Sequence, residues 1–146
     1  MEQRPSIEQT QPEAWKALYA LAVVVDKSSL SPIQKHLIMI RTSQINSCAF
    51  CINMHTKEAL KLGETQQRIF LLSAWKETTL FTEQEKAILS LTEEVTLIHQ
   101  QGISDVTYRQ AEKFFSPEAI NEIIMAIVVM NAWNRIAVST HMPLGQ

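Results

Sequence analysis

Two cysteines and a histidine in one short segment have the residue types and the spacing of a thiol redox site. Cys48 and Cys51 are three positions apart, and His55 follows four positions after Cys51. At about 100° per residue, the three side chains fall within an arc of about 60° on an α-helix that begins near Cys48. The N–H groups at a helix start stabilise a thiolate, and His55 can take the thiol proton or balance the thiolate charge.

A thiol pair of this kind offers two reactions. One sulfur can attack a peroxide to give a sulfenic acid, which the second sulfur converts into a Cys48–Cys51 disulfide. Alternatively, the pair can exchange with the disulfide of a partner through a mixed intermediate. The helix start favours Cys48 as the more acidic thiol, whereas the spacing to His55 favours Cys51, so the sequence leaves the attacking sulfur open.

Helices are the elements that must position these residues. The chain of 146 residues contains only three glycines and almost no alternating β-branched runs, so we predict an all-α fold. Ser31-Pro32 and Ser116-Pro117 are typical helix starts, and Thr82 with Glu85 is typical of a capping box. The predicted helices cover residues 12–27, 32–46, 50–62, 65–75, 83–100, 105–114 and 117–138. They predict a compact bundle of about six to seven helices that forms a single domain over residues 1–146.

The last predicted helix differs from the others in its apolar surface. Residues 123–130 are apolar all round the helical cylinder, and such a surface requires burial on all sides. Six shorter helices can hardly enclose it. We therefore expect this helix to be the axis of the bundle and to be shared with another subunit.

Composition and charge exclude several classes of protein. The thirteen basic residues are scattered among fifteen acidic ones, for a net charge of -2, whereas a nucleic-acid binder needs clustered basic residues. The uncharged stretches 17–25 and 123–134 are shorter than the roughly 20 residues of a membrane-spanning helix. The first residues lack the basic and apolar regions of a secretory signal. We expect a cytoplasmic protein with no nucleic-acid or membrane partner.

The segment around the cysteines resembles a known family. Residues 43–55 read Ser-x-x-Asn-x-Cys-x-x-Cys-x-x-x-His, residues 56–63 continue with Thr-Lys-Glu-Ala-Leu-Lys-Leu-Gly, and residues 131–135 read Asn-Ala-Trp-Asn-Arg. This pattern resembles the AhpD-like alkylhydroperoxidases of the carboxymuconolactone decarboxylase superfamily, from about residue 12 to 135. The resemblance implies an AhpD-like bundle and a cysteine-pair peroxidase or disulfide reductase that uses no metal or other cofactor. It also implies a hydroperoxide or disulfide substrate, an unidentified thiol reductant, and assembly into trimers or hexamers.

One position departs from the family pattern. In the antioxidant members a glutamate stands twelve residues before the first cysteine and joins the histidine in a proton relay, and here that position is His36. Those members also carry a histidine between the cysteines, where this chain has Ala49 and Phe50. A neutral imidazole can pass a proton but brings no negative charge. We therefore expect His36 to act as a second relay member beside Cys48, Cys51 and His55, with a changed pH optimum.

Two other functions remain open from the sequence. One is a decarboxylase acting on a lactone acid, like the enzyme that names the superfamily. The other is a non-catalytic oligomerisation module in which Cys48, Cys51, His55 and His36 hold zinc. Asn131, Asn134 and Arg135 are interpreted as structural, since they can satisfy one another and the end of the last helix.

Overall fold

The computed structural model describes Glu2 and residues 4–144 of the chain, and within them all regular structure is helical. The prediction of an all-α fold is therefore confirmed. The helices are α1 (Ile7–Thr10), α2 (Pro12–Asp26), α3 (Pro32–Ile45), α4 (Ala49–Lys61), α5 (Gln66–Leu71), α6 (Glu83–Thr96), α7 (Asp105–Glu112) and α8 (Pro117–Ser139), with a 3-10 segment, Leu72–Glu77, directly after α5.

Local capping signals account for where these helices begin. The side chains of Ser31 and Thr82 both accept the backbone N–H three residues on, in complete capping boxes, and Ser116 caps α8 in the same way without the reciprocal bond. Each of these bonds satisfies an N–H group that the helix leaves unpaired. Just after the C-terminal end of α4, Gly63 has a φ of 95°, a left-handed conformation that favours glycine. The caps predicted from sequence are confirmed.

The helices differ from the prediction in three larger respects, and the other boundaries agree within two residues. The four-residue helix α1 was not predicted, because one turn is too short to show a periodic pattern. The predicted helix 65–75 divides at Leu72 into α5 and the 3-10 segment, where Ala74 has non-helical backbone angles. The predicted helix 83–100 ends at Thr96.

Helix α8 lies at the centre of the bundle and packs against α2, α3 and α6. Ile120, Ile123 and Ile127 are fully buried, and burial of each such side chain contributes about 1.5–3 kcal/mol. By length and composition α8 could cross a membrane, but this packing accounts for much of its apolar surface. Met125 and Val128 are exposed, so the prediction of burial on all sides is wrong for the single chain. The sharing of α8 with another subunit stays a prediction.

Candidate active site

Cys48 stands at the N-cap of α4, where the sequence places the helix start. Its Sγ accepts a hydrogen bond from the backbone N–H of Cys51 at 3.3 Å. A sulfur in this position meets the unpaired N–H groups and the positive end of the helix dipole, and both stabilise a thiolate. The first turn of α4 is therefore built to hold negative charge on Cys48.

A buried amide network sets the turn that leads into Cys48. Asn46 Nδ2 donates to the side-chain oxygens of Asn131 and Asn134, both at 3.0 Å, and Asn134 Nδ2 donates to Ser43 Oγ at 3.0 Å. The backbone N–H of Cys48 donates to the Ser43 carbonyl at 2.9 Å. These bonds tie the end of α3 to α8 and fix the start of α4.

The interpretation of the last motif as structural agrees with its hydrogen bonds. Arg135 Nη1 donates to the backbone and side-chain oxygens of Asn131, at 3.0 and 2.7 Å. Asn134 is buried and is bonded on both sides of its amide. Hydrogen bonds among these side chains, and between them and α3 and the residue that follows it, therefore pair their polar groups.

The two sulfurs are joined in a Cys48–Cys51 disulfide, with 5.4 Å between the Cα atoms. Cys48 is 1% and Cys51 2% exposed, so both are almost completely buried. Cys51 nevertheless borders a cavity of about 630 Å³, and His55 lines the same cavity. Of the two cysteines, Cys51 is therefore the one that lies next to the cavity.

The wall of this cavity is mainly apolar and includes several aromatic and sulfur-bearing side chains. Helices α2, α3, α4 and α8 all contribute to it, and its large apolar side chains include Trp15, Tyr19, Met39, Phe50, Met130 and Trp133. Trp15 and Trp133 pack edge to face at 4.7 Å between ring centroids. Such a wall favours an apolar or aromatic occupant, because that contact removes apolar surface from water.

His55 is buried and is oriented by Glu58, one turn further along α4. Its Nδ1 lies 3.1 Å from Glu58 Oε2, whereas its Nε2 has no hydrogen-bond partner in the described part of the chain. Burial lowers the pKa of His55, and the Glu58 carboxylate opposes that shift. In the neutral imidazole, donation from Nδ1 to Glu58 leaves the lone pair on Nε2. His55 is thus held in the form of a base.

His36 on α3 lies beside His55, with 5.7 Å between the ring centroids. Burial also lowers the pKa of His36, against the opposing charges of Glu58 and Asp26. Of the four candidate residues, the structure places His36 beside His55, joins Cys48 to Cys51, and puts Cys51 and His55 on one cavity wall. Their catalytic roles stay predictions.

Glu58 is the residue that the sequence analysis did not identify as part of the site. It provides a carboxylate beside the imidazoles, although the family's glutamate position holds His36. The sequence feature that could have identified Glu58 is its spacing of three residues from His55, since residues three apart are neighbours on a helix.

Replacing Glu58 with glutamine is expected to lower the pKa of His55. The carboxylate favours the imidazolium through its charge and hydrogen bond, and the neutral amide removes that charge. Titration of the His55 ring protons by NMR would show the midpoint at lower pH than in the wild type. The exposed Glu112→Gln on α7 is the matched control and should leave the midpoint in place. An unchanged or higher midpoint in Glu58→Gln would show that the carboxylate does not act on His55.

Fold and site together define a helical-bundle protein of the AhpD-like class with a disulfide-forming cysteine pair. Residues 12–94 match the model of the Carboxymuconolactone decarboxylase family, and the chain belongs to this family. The uncharacterized protein YdfG of Bacillus subtilis (strain 168) is 39% identical over 139 residues, which cover 95% of each chain. The resemblance inferred from the motif is confirmed.

Solved structures support the same assignment. A protein of unknown function from Agrobacterium tumefaciens, described as a candidate antioxidant defence protein AhpD, is 40% identical, with a TM-score of 0.96 over 99% of both chains. An uncharacterized peroxidase-related protein from Ralstonia eutropha JMP134, described as an alkylhydroperoxidase AhpD core, is 15% identical. Its TM-score is 0.83 over 95% of this chain and 74% of that one, and this likeness bears on the fold alone.

Proposed function

We propose that this protein is a thiol-dependent peroxidase that reduces a small apolar hydroperoxide through Cys51 and Cys48. The observation that carries the proposal is the position of Cys51 and His55 on the wall of one apolar cavity. The membership in a family with AhpD-like members supports a redox function of this kind.

In the first step, the Cys51 thiolate attacks the terminal oxygen of the hydroperoxide, the one that carries the hydrogen. An S–O bond forms and the O–O bond breaks. His55, which has taken the proton of the Cys51 thiol, passes that proton to the leaving alkoxide, so the product is the alcohol. The sulfur of Cys51 is oxidised by two electrons to the sulfenic acid, and the peroxide is reduced by two.

In the second step, the Cys48 thiolate attacks the sulfenic sulfur of Cys51. The S–S bond forms and the S–O bond breaks. The hydroxide leaves as water with the proton that His55 or His36 has taken from the Cys48 thiol. The N-cap position of Cys48 supports this role, because the Cys51 N–H stabilises its thiolate. A dithiol reductant then returns two electrons and two protons and restores both thiols.

The burial of the sulfurs favours a small substrate over a protein disulfide. Thiol-disulfide exchange needs the attacking sulfur to reach the partner's sulfur in line, and Cys48 and Cys51 are almost completely buried. A small hydroperoxide needs only the cavity. The same reasoning favours a small dithiol as the reductant. We still expect a cytoplasmic location, and that compartment would supply reduced thiols.

We also propose that the chain forms a homo-oligomer, a trimer or a hexamer. The exposed side chains Tyr19 and Val24 on α2 and Met125 and Val128 on α8 support this proposal. Val24 and Met125 line one groove between the two helices. Large apolar side chains clustered in this way are typical of a surface covered by another subunit.

Oxidation of the reduced protein by one equivalent of cumene hydroperoxide tests the peroxidase proposal. We expect a loss of two hydrogens, located by mass spectrometry in the peptide that contains Cys48 and Cys51. With dithiothreitol present, turnover should continue and should be faster with cumene hydroperoxide than with hydrogen peroxide, because the apolar cavity binds the aromatic ring.

Protein alkylated at both thiols is the control and should be inactive. An unchanged mass after oxidation would contradict the proposal. Turnover of a carboxylactone by the alkylated protein would instead support the decarboxylase reading.

A further inference from the structure

The imidazoles of His36 and His55 and the carboxylate of Glu58 form a compact cluster between α3 and α4. One nitrogen or oxygen atom from each residue lies within 4.8 Å of the other two. The closest pair, His55 Nδ1 and Glu58 Oε2, is 3.1 Å apart. Neutral imidazole nitrogens and a carboxylate oxygen are ligands that first-row divalent cations prefer.

One imidazole nitrogen of these residues, Nδ1 of His36, is buried without a hydrogen-bond partner in the part of the chain that the structure describes. Nε2 of His55 also has none, but Nδ1 is the nitrogen of His55 that faces Glu58 and belongs to the cluster. A buried polar atom without a partner costs free energy, so natural proteins seldom leave one without a function. The unpartnered nitrogen of His36, next to the ring of His55, therefore indicates a ligand other than the chain itself.

The dimensions of the cluster suit a zinc ion. Ligand atoms at about 2.0–2.1 Å from a tetrahedral zinc lie about 3.3–3.4 Å from one another. The His55–Glu58 pair is already near this separation, and the Glu58 side chain is 45% exposed. The Glu58 side chain therefore has room to adjust to an ion, and a water can take the fourth position, as in zinc sites with three protein ligands.

We propose that His36, His55 and Glu58 bind a zinc ion. This donor set differs from the four-ligand site considered from the sequence, because it needs neither sulfur, and the expectation that the protein binds no metal is revised accordingly. The sulfurs are bonded to each other in the disulfide form, so the site is available while the pair is oxidised.

Zinc binding has a consequence for the redox site, which rests on the proposed function. A metal-bound imidazole has no lone pair for proton transfer. The occupied site therefore withholds His55 from Cys51, and zinc acts as an inhibitor of peroxide reduction.

Calorimetric titration of the oxidised protein with Zn²⁺ tests the binding directly, without any turnover. We expect one zinc per chain in the wild type, and affinity at least about 10-fold weaker in His36→Gln and in Glu58→Gln. The exposed His99→Gln is the matched control and should bind as the wild type does. A Cys48→Ser/Cys51→Ser double variant should also bind zinc, because the sulfurs are not ligands.

Several results would overturn the zinc site. They are no binding by the wild type, binding that His36→Gln leaves intact, and binding that disappears in the double cysteine variant. Circular dichroism of each variant separates a lost ligand from a lost fold. Failure here is distinct from failure of the proposed function, since hydroperoxide turnover in metal-free buffer measures the latter alone.

Discussion

Cys51→Ser is expected to lower kcat/KM for cumene hydroperoxide by roughly 1000-fold or more, because it removes the nucleophile that forms the covalent intermediate. Cys51 is the sulfur on the cavity wall and lies on the same helix as His55. A serine hydroxyl is far less acidic than a thiol and has no route to a sulfenic acid. The measurement is steady-state hydroperoxide consumption with dithiothreitol as reductant.

Cys48→Ser provides the contrast that identifies the order of attack. This variant keeps the nucleophile, so we expect it to consume one equivalent of hydroperoxide and to accumulate a sulfenic acid at Cys51. Dimedone labelling followed by mass spectrometry would locate that acid. The exposed Ser73→Ala is the control variant, and its hydroperoxide consumption and dimedone labelling should match those of the wild type. If Cys51→Ser accumulated the sulfenic acid at Cys48 instead, the assigned order would be reversed.

Asn134→Ala is expected to lower the free energy of unfolding by about 2–4 kcal/mol. The change deletes a buried amide and leaves Ser43 and Asn46 with fewer partners between α3 and α8. An unsatisfied buried polar group costs about 1–3 kcal/mol, and the empty volume left by the side chain adds to that cost. Urea unfolding at one fixed protein concentration measures the difference, since association would otherwise shift the apparent stability.

Ser139→Ala on the same helix is the matched control for this change. Ser139 is exposed, and alanine is the better helix former, so stability should stay within about 0.5 kcal/mol or rise slightly. A comparable loss in both variants would assign the effect to α8 itself, and no loss in Asn134→Ala would show that the amide network does not hold α3 to α8.

Local signals determined much of this protein from sequence alone. The spacing of Cys48, Cys51 and His55 places them on one helix, because the helical repeat relates residues three, four and seven apart. The caps at Ser31, Thr82 and Ser116 lie within three residues of the N–H groups they bind. Each of these features depends on residues within a few positions of one another, so it can be predicted without the rest of the chain. The short α1 and the division at Leu72 were missed because neither has a periodic pattern.

Only the tertiary structure decided which of these residues meet. His36 and His55 are on different helices and their rings become neighbours through the packing of α3 on α4. Asn46 and Asn134 are 88 residues apart and meet where α3 crosses α8. The cavity that Cys51 borders is lined by several helices and by residues near both ends of the chain, and no periodicity within one helix encodes a space between several. Contacts of this range depend on how whole helical faces pack. For that reason the sequence identified both cysteines but could not show which of them borders the cavity.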